Sequence, residues 1–175
     1  LTSGQISVIR EIDNDLASED KMLRLLQGDV GSGKTIVAFL TLISTVEAGF
    51  QGAFMAPTEI LARQHFEFLK PIASEIGITV DIITGKDTKS QRALILEKLE
   101  TGATNLLIGT HALFQNEVKF KNLGYAVIDE QHKFGVNQRL ALGDKGAGTN
   151  ILIMTATPIP RTLTMIGYGD LDISY

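Results

Sequence analysis

The string GDVGSGKT at Gly28–Thr35 constrains this chain more than any other part of its sequence. It follows an apolar run typical of a buried strand, Leu23–Leu26, and precedes one with helical spacing, Ile36–Thr45. Glycines let backbone N–H groups turn toward an anion, and the following helix presents the positive end of its dipole. In this pattern the lysine reaches the outer phosphates of a triphosphate, and the last hydroxyl ligates Mg²⁺. A glycine-rich turn before an ordinary helix is the alternative, but the complete GxxxxGK[ST] pattern at a strand-to-helix junction favours nucleotide binding.

The predicted phosphate-binding residues form one continuous segment. They are Gly28, Asp29, Val30, Gly31, Ser32, Gly33, Lys34 and Thr35. Within this segment Lys34 is also assigned to catalysis and Thr35 to the metal.

Short apolar runs alternate with amphipathic ones along the chain, which predicts a mostly parallel central sheet with helices on both faces, a three-layer α/β/α fold. The predicted strands are Leu23–Leu26, Ala53–Ala56, Val80–Ile83, Asn105–Ile108, Tyr125–Ile128 and Ile151–Met154. The predicted helices are Gly4–Leu16, Lys34–Glu47, Glu59–Glu75, Lys89–Glu100 and Asn137–Leu142. We expect Thr2 or Ser3 to cap the first helix, and Pro71 to kink or interrupt the third.

Composition limits the class of protein. A length of 175 residues suits a single domain, and 44% hydrophobic residues can build a core. The chain has no cysteine, no apolar stretch near the about 20 residues that span a bilayer, and no leader pattern. We therefore expect a cytoplasmic protein. A net charge of −4 disfavours tight DNA binding through a broad basic surface, so any DNA contact should be local.

A second constellation lies about a hundred residues after the phosphate loop, where Ala126–Ile128 reads as a buried strand ending in Asp129 and Glu130. Ligands of open α/β sheets bind at that edge. There Asp129 can hold Mg²⁺ opposite Thr35, and Glu130 can orient or deprotonate the attacking water. An acidic turn after a strand is the alternative. Another apolar strand runs into small hydroxyls at Thr155 and Thr157, which can sense the γ-phosphate.

In this order the motifs resemble the first motor domain of superfamily 2 helicases and translocases. LTSGQ with Thr2 and Gln5 is similar to the adenine-reading motif, APTEILARQ at Ala56–Gln64 to motif Ia, and GTHAL at Gly109–Leu113 to motif Ib. DEQH resembles motif II and TAT motif III. The longer strings GDVGSGKT, DEQHKFGV, MTATPIPRTL and YGDLDIS resemble the RecG family of branch-migration helicases, from end to end of the chain.

The resemblance implies a RecA-like P-loop NTPase domain, ATP and Mg²⁺ as cofactors, and an ATP-dependent motor acting on branched DNA in fork reversal, recombination and repair. We expect the second RecA-like domain, a partner in the cycle, and the wedge domain to lie outside these 175 residues. The implied catalytic residues are Lys34, Asp129, Glu130, Gln131 and His132, with Thr35 and Asp129 on the metal. The resemblance further implies that Gln5 reads adenine and that the DNA backbone is contacted by Thr58, Arg63, Gly109, Thr110 and His111. It also implies that Thr155 and Thr157 couple hydrolysis to movement.

Three alternatives remain at this point. The motor of a transcription-repair coupling factor shares several strings, but typically reads DEEQ where this chain reads DEQH. An RNA helicase of the DExH type and a nucleotide-binding module without turnover are the others. Among single residues, His132 can be a structural histidine, and the roles of Lys133 and Arg161 stay open. His65 and the phenylalanines at 39, 54, 66 and 68 are predicted to be packing groups.

Overall fold

A seven-stranded sheet in which every pairing is parallel forms the centre of the computed structural model, which describes residues 1–18, 22–28, 33–129, 149–155 and 172–174. Its strands are β1 (Leu23–Gln27), β2 (Gln51–Met55), β3 (Val80–Ile83), β4 (Leu106–Gly109), β5 (Leu123–Asp129), β6 (Asn150–Thr155) and β7 (Asp172–Ser174). Its helices are α1 (Ser3–Ala17), α2 (Lys34–Glu47), α3 (Glu59–Glu75) and α4 (Lys89–Thr101). Across the sheet the strands lie in the order β3-β4-β2-β5-β6-β1-β7.

The predicted elements within the described residues are all present. Helices α2 and α3 and strand β3 have the predicted bounds, and the other ends differ by one or two residues. The predicted helix Asn137–Leu142 lies outside the described residues. Strand β7 and a short 3₁₀ helix, His111–Phe114, were not predicted.

Of the two effects predicted for Pro71, a kink or an interruption, the interruption is wrong, because α3 runs through this residue; the kink stays a prediction. A proline inside a helix cannot donate to the carbonyl of the residue four positions earlier, here Glu67. Both Pro71 and Glu67 are exposed, so water can satisfy that carbonyl at no cost to the buried side of the helix.

Each face of the sheet is covered by a separate apolar cluster. Alternate residues of β5 divide between them: Tyr125 and Val127 pack on the side of α1, α2 and α3, whereas Ala126 and Ile128 pack on the side of α4. This alternation explains why the strands read as continuous apolar runs, since both of their faces are buried. It confirms the predicted three-layer architecture.

The aromatic side chains pack largely as predicted. Phe39 and Phe54 are buried in the core with ring centroids 5.3 Å apart, and the edge of His65 meets both rings. Phe68 is 56% exposed but stacks on Phe39 with ring centroids 6.2 Å apart. None of the helices in the described part of the chain is long and apolar enough to cross a membrane.

The parallel arrangement decides where the site lies. Because the strands point the same way, their carboxyl ends share one edge of the sheet. The described residues at that edge include Gln27, Met55, Ile83, Gly109, Asp129 and Thr155. Every described site residue predicted from the sequence lies at or near these strand ends, or at the start of α1 or α2.

Candidate active site

The described ends of the phosphate loop are held by backbone and side-chain hydrogen bonds. At the end of β1, the N–H of Gly28 donates to the carbonyl of Thr155, with an N···O distance of 3.2 Å. The Lys34 ammonium donates to the carbonyl of Gly28 at 2.7 Å, which closes the loop from the helix side. This places the ammonium over the start of the loop. Residues 29–32, with the predicted positions Asp29, Val30, Gly31 and Ser32, lie outside the described residues.

The N-terminal end of helix α2 has neither a capping side chain nor an acidic residue in its first turn to balance the positive end of the helix dipole. Its N-cap, Gly33, offers no side-chain acceptor, and its first turn, all of it described, contains no acidic residue. The N–H groups of a first turn have no partners inside the helix, so they are available to an anion. Gly33 has φ +82°, a conformation that other residues adopt with strain. The sequence pattern and the geometry therefore agree on an anion site at this helix end.

The Gln5 side chain lies beside the loop. Its Oε1 accepts from the N–H of Thr2 at 2.9 Å, and the Thr2 hydroxyl accepts from the N–H of Gln5 at 3.1 Å. This capping box fixes the first turn of α1 and identifies Thr2 as the cap. The amide nitrogen of Gln5 faces Gly33 so closely that a Cβ on that glycine would overlap it. The side chain thus has a structural role in the helix start and also a fixed position next to the phosphate loop.

Asp129 ends β5, two strands away from β1 with β6 between them. Register pairs Asp129 with Met154 and Thr155 with Gln27, so these strand ends lie level. Two inter-strand spacings place the ends of β5 and β1 roughly 10 Å apart, a gap that phosphates and a hydrated cation can fill. The Asp129 carboxylate therefore lies on the edge of the sheet that the sequence predicted, where β1 leads into the phosphate loop.

The electrostatics around Asp129 couple it to the loop lysine. Burial raises the pKa of Asp129, and the positive charge of Lys34 opposes that rise. A half-buried carboxylate near a threonine hydroxyl and a phosphate site offers the hard oxygen ligands that Mg²⁺ prefers. Within the described residues no group of three or more His, Cys, Asp or Glu side chains could hold a metal alone. The donor set fits Mg²⁺ whose other ligands are phosphate oxygens and water.

The remaining residues predicted on this side are only partly described. Thr155 is buried at the end of β6, between the strands that end in Asp129 and in Gln27. Glu130, Gln131, His132 and Thr157 lie outside the described residues, as do Lys133 and Arg161. Their assigned roles stay predictions.

A second group of predicted residues meets at the other half of the same edge. Thr58 caps α3, its hydroxyl accepting from the N–H of Leu61 at 3.2 Å. The loop before it is joined to the end of β4, because the N–H of Ala56 donates to the carbonyl of Gly109 at 2.8 Å. His111 is exposed in the 3₁₀ helix that follows. Thr58, Gly109, Thr110 and His111 are therefore neighbours, as a shared contact with a polynucleotide backbone requires.

Arg63 and Gly109 also have local structural roles. Arg63 is 49% exposed and lies 3.5 Å from the Glu59 carboxylate one helical turn away. Gly109 is buried, and a Cβ there would lie 2.8 Å from the carbonyl oxygen of Ile83. The glycine is thus required by the close approach of β3 to β4, and any contact that it makes with a ligand must come from its backbone.

The sequence reasoning missed a cation at this half of the edge. Lys86 follows β3, and its ammonium lies 3.6 Å from Glu59, which also faces Arg63. A Gly-Lys pair one residue beyond a predicted strand was the available signal.

Comparison with known proteins agrees with this geometry. The family model described as DEAD/DEAH box helicase matches residues 2–166. The chain belongs to the DEAD/DEAH box helicase family.

Within that family the chain is similar to RecG helicases, as its motifs predicted. It is 52% identical over 99% of its length to the ATP-dependent DNA helicase RecG of Aquifex aeolicus, covering 22% of that protein. It is 51% identical over 99% of its length to the RecG of Thermotoga maritima, covering 22% of that protein. A structure of RecG bound to a three-way DNA junction superposes with a TM-score of 0.85 at 47% identity, covering 100% of this chain and 24% of that one. The chain thus spans about a quarter of these relatives.

More distant structures share the fold alone. The DUF1998 helicase MrfA superposes with a TM-score of 0.76 at 20% identity, covering 99% of this chain and 30% of the other. The predicted RecA-like α/β class is confirmed.

Proposed function

We propose that this chain is the ATP-binding motor domain of an ATP-dependent DNA helicase or translocase that acts on branched DNA, in fork reversal, branch migration, recombination and repair. The observation that supports this most is the placement of the described ends of the phosphate loop, a half-buried carboxylate and two adjoining polar loops on one sheet edge. Similarity to RecG over the whole chain supports the choice of branched DNA as substrate. The same proposal puts the protein in the bacterial cytoplasm, where ATP and DNA are available.

At the proposed nucleotide site, each functional group of the chain has a separate role. Lys34 exchanges its bond to the Gly28 carbonyl for the outer phosphates of ATP, while the first N–H groups of α2 bind the same anion. Thr35 and Asp129 hold Mg²⁺, which supplies charge neutralisation on the phosphates when bound. Glu130 accepts a proton from the attacking water, and Gln131 and His132 position the groups around it. Gln5 reads the adenine edge with the amide that now faces Gly33.

At the other half of the edge, the proposed contacts go to the DNA backbone. Thr58, Gly109, Thr110 and His111 offer hydroxyl, imidazole and backbone N–H groups, and Arg63 adds charge. Contacts of this kind position a polynucleotide without reading its sequence, which suits a motor that steps along any DNA. Thr155 and Thr157 would transmit the state of the phosphates, and a second RecA-like domain of the same protein would close over the bound nucleotide.

The experiment uses the full-length protein that contains this chain. ATP hydrolysis is measured with a three-way DNA junction, with linear duplex DNA, with single-stranded RNA and without nucleic acid. We expect the junction to stimulate most, and Glu130→Gln to lower the stimulated rate about 10²–10⁴-fold while ATP binding is kept. The exposed residue Glu75 provides the matched control, since Glu75→Gln makes the same chemical change on α3 and should leave the rate unaltered.

Two results would overturn the proposal. Stimulation by RNA in preference to branched DNA would assign the chain to an RNA helicase. Full activity of the parent protein after Glu130→Gln would assign it to a nucleotide-binding module that never hydrolyses.

A further inference from the structure

A cavity of about 390 Å³ lies at the amino edge of the sheet, opposite the edge that bears Lys34 and Asp129. It is enclosed by the last turns of α1 and α2 and by the residues that enter β2, β5 and β6. Its volume falls within the usual range for small-ligand pockets, roughly 300–1,000 Å³. Nothing in the proposed motor function uses it.

The described residues that line this cavity give it a negative charge. Helices α1 and α2 both end at its wall, and the last turn of neither helix contains a basic residue. A helix C-terminus bears a partial negative charge that cations stabilise. Among the described lining residues, Asp13 is the one with a charged side chain. A cationic group would therefore be attracted and an anion repelled.

Asp13 contains an unsatisfied acceptor. Its Oδ1 is shielded from solvent and accepts no hydrogen bond from the protein, and burial raises the pKa of the carboxyl. The buried hydroxyl groups of Tyr125 and Thr41 are hydrogen-bonded to each other, with an O···O distance of 3.1 Å. A buried acceptor without a partner is costly. A positive charge beside the carboxyl group, on the side that lines the cavity, lowers that cost without reaching the shielded oxygen itself.

The remaining walls suit a short hydrocarbon. Leu16, Ala48 and Leu123 line the cavity with apolar surface, and the Phe50 ring forms its rim. Phe50 is held there by Gly124, where any Cβ would lie 2.7 Å from the Cβ of Phe50. An aromatic face beside a carboxylate favours an organic cation over a bare metal ion.

We propose that this cavity binds a small organic cation, an alkylammonium or alkylguanidinium, whose charged group pairs with Asp13 and whose hydrocarbon part lies against Leu16 and Phe50. The site is separate from the nucleotide site and does not depend on the proposed motor function.

The test titrates the 175-residue chain with n-butylammonium, with n-butylguanidinium and with uncharged n-butanol, followed by amide NMR spectra. We expect shifts to be centred on the cavity residues and the cations to bind more tightly than n-butanol. Asp13→Asn should weaken cation binding at least about tenfold, the loss of one charge-assisted hydrogen bond, and leave n-butanol unaffected. Glu75→Gln is the control for removing a distant carboxylate.

A second measurement keeps the test decisive if Asp13→Asn folds poorly. Cation binding to the unmodified chain should lower the pKa of Asp13, followed through its carboxyl carbon resonance, because a nearby positive charge favours the anion. Ala48→Leu, which fills the cavity, should abolish binding of all three probes. Equal binding of the cations and n-butanol, shifts centred elsewhere, no binding at all, or a pKa of Asp13 that the cations do not change would each overturn the proposal.

Discussion

Replacement of Arg24 by methionine should destabilise the fold, because this side chain joins three elements. Arg24 lies on β1 and is 9% exposed. Its Nε and Nη2 donate to Asp15 of α1 at 2.9 and 2.6 Å, and its Nη1 donates to Ser174 of β7 at 2.7 Å. The same Nη1 donates to Glu11 of α1 at 3.3 Å. Methionine keeps much of the packing and removes all four hydrogen bonds, which three nitrogens donate.

The magnitude follows from how exposed the acids are. Loss of one partner from a fully buried ion pair costs about 3–5 kcal/mol. The side chains of Asp15 and Glu11 are 29% and 46% exposed, so water compensates part of the loss. We therefore expect the free energy of unfolding to fall by about 1.5–3 kcal/mol. For a chain of this size that corresponds to a Tm lower by roughly 3–12 °C.

Urea unfolding followed by circular dichroism measures this change. The series compares Arg24→Met, Asp15→Asn and the double variant, and the coupling energy should reach about 1–2 kcal/mol because the two groups are in contact. Arg63→Met is the matched control: its pairing with Glu59 is half-exposed, so we expect a loss below about 0.5 kcal/mol. The reasoning would be refuted if Arg24→Met lowered the free energy of unfolding no more than this control does. It would also be refuted if the effects of Arg24→Met and Asp15→Asn were strictly additive in the double variant.

Three further predictions concern the functional edge. Gly109→Ala should cost about 1–3 kcal/mol in urea unfolding, since its Cβ would lie 2.8 Å from the backbone oxygen of Ile83; Gly85→Ala, with open space around it, should cost much less. Lys34→Met should raise the pKa of Asp129 further, as read from its carboxyl carbon resonance, because the lysine charge opposes the effect of burial. With a folded pKa above the unfolded one, the contribution of Asp129 to stability is full at acid pH and lost as pH rises through the folded pKa. Asp129→Asn should therefore stabilise the ligand-free chain at neutral pH and not in acid.

Helices α2 and α3 could be predicted to the residue because local signals determine them. Helix α2 begins where a glycine-rich loop meets an apolar periodic run. Helix α3 begins after Thr58, whose hydroxyl caps it three residues after a strand end. In both cases the sequence contains the start signal and the periodicity within one short window.

Strand β2 shows why the ends of some strands could not be predicted from the neighbouring sequence. It begins at Gln51 and Gly52, a polar residue followed by a glycine, and glycine favours a turn. The buried Gln51 amide donates to the carbonyls of Leu99 and Thr104 at 2.9 and 2.8 Å, so tertiary partners replace water. A Cβ on Gly52 would lie 2.7 Å from the Leu42 side chain, so any larger residue there requires Leu42 to shift. Both reasons depend on residues distant in sequence.

The edge strand β7 was missed for a related reason. It is three residues long and pairs with β1, nearly 150 residues earlier in the chain. Its Ser174 hydroxyl is buried against Arg24, a contact that no sequence pattern contains. In the site itself, the sequence could supply residue types and their order along the chain, but not which strand ends are neighbours.

The strand order adds one conclusion that the motif order hides. Along the chain the phosphate loop comes second and Asp129 fifth among the predicted motifs, yet in the sheet β5 lies directly between β2 and β6. Met55, which precedes the Thr58 loop, pairs next to Asp129 through Ile128, whereas Thr155 lies on its other side. On the proposed roles, the carboxylate that holds the metal is thus one strand spacing, about 5 Å, from the strand that leads into the DNA-facing loop. On the same proposed roles, a shift of Asp129 between nucleotide states would act on β2 across a single row of hydrogen bonds and would need no relay through helices to reach the polynucleotide.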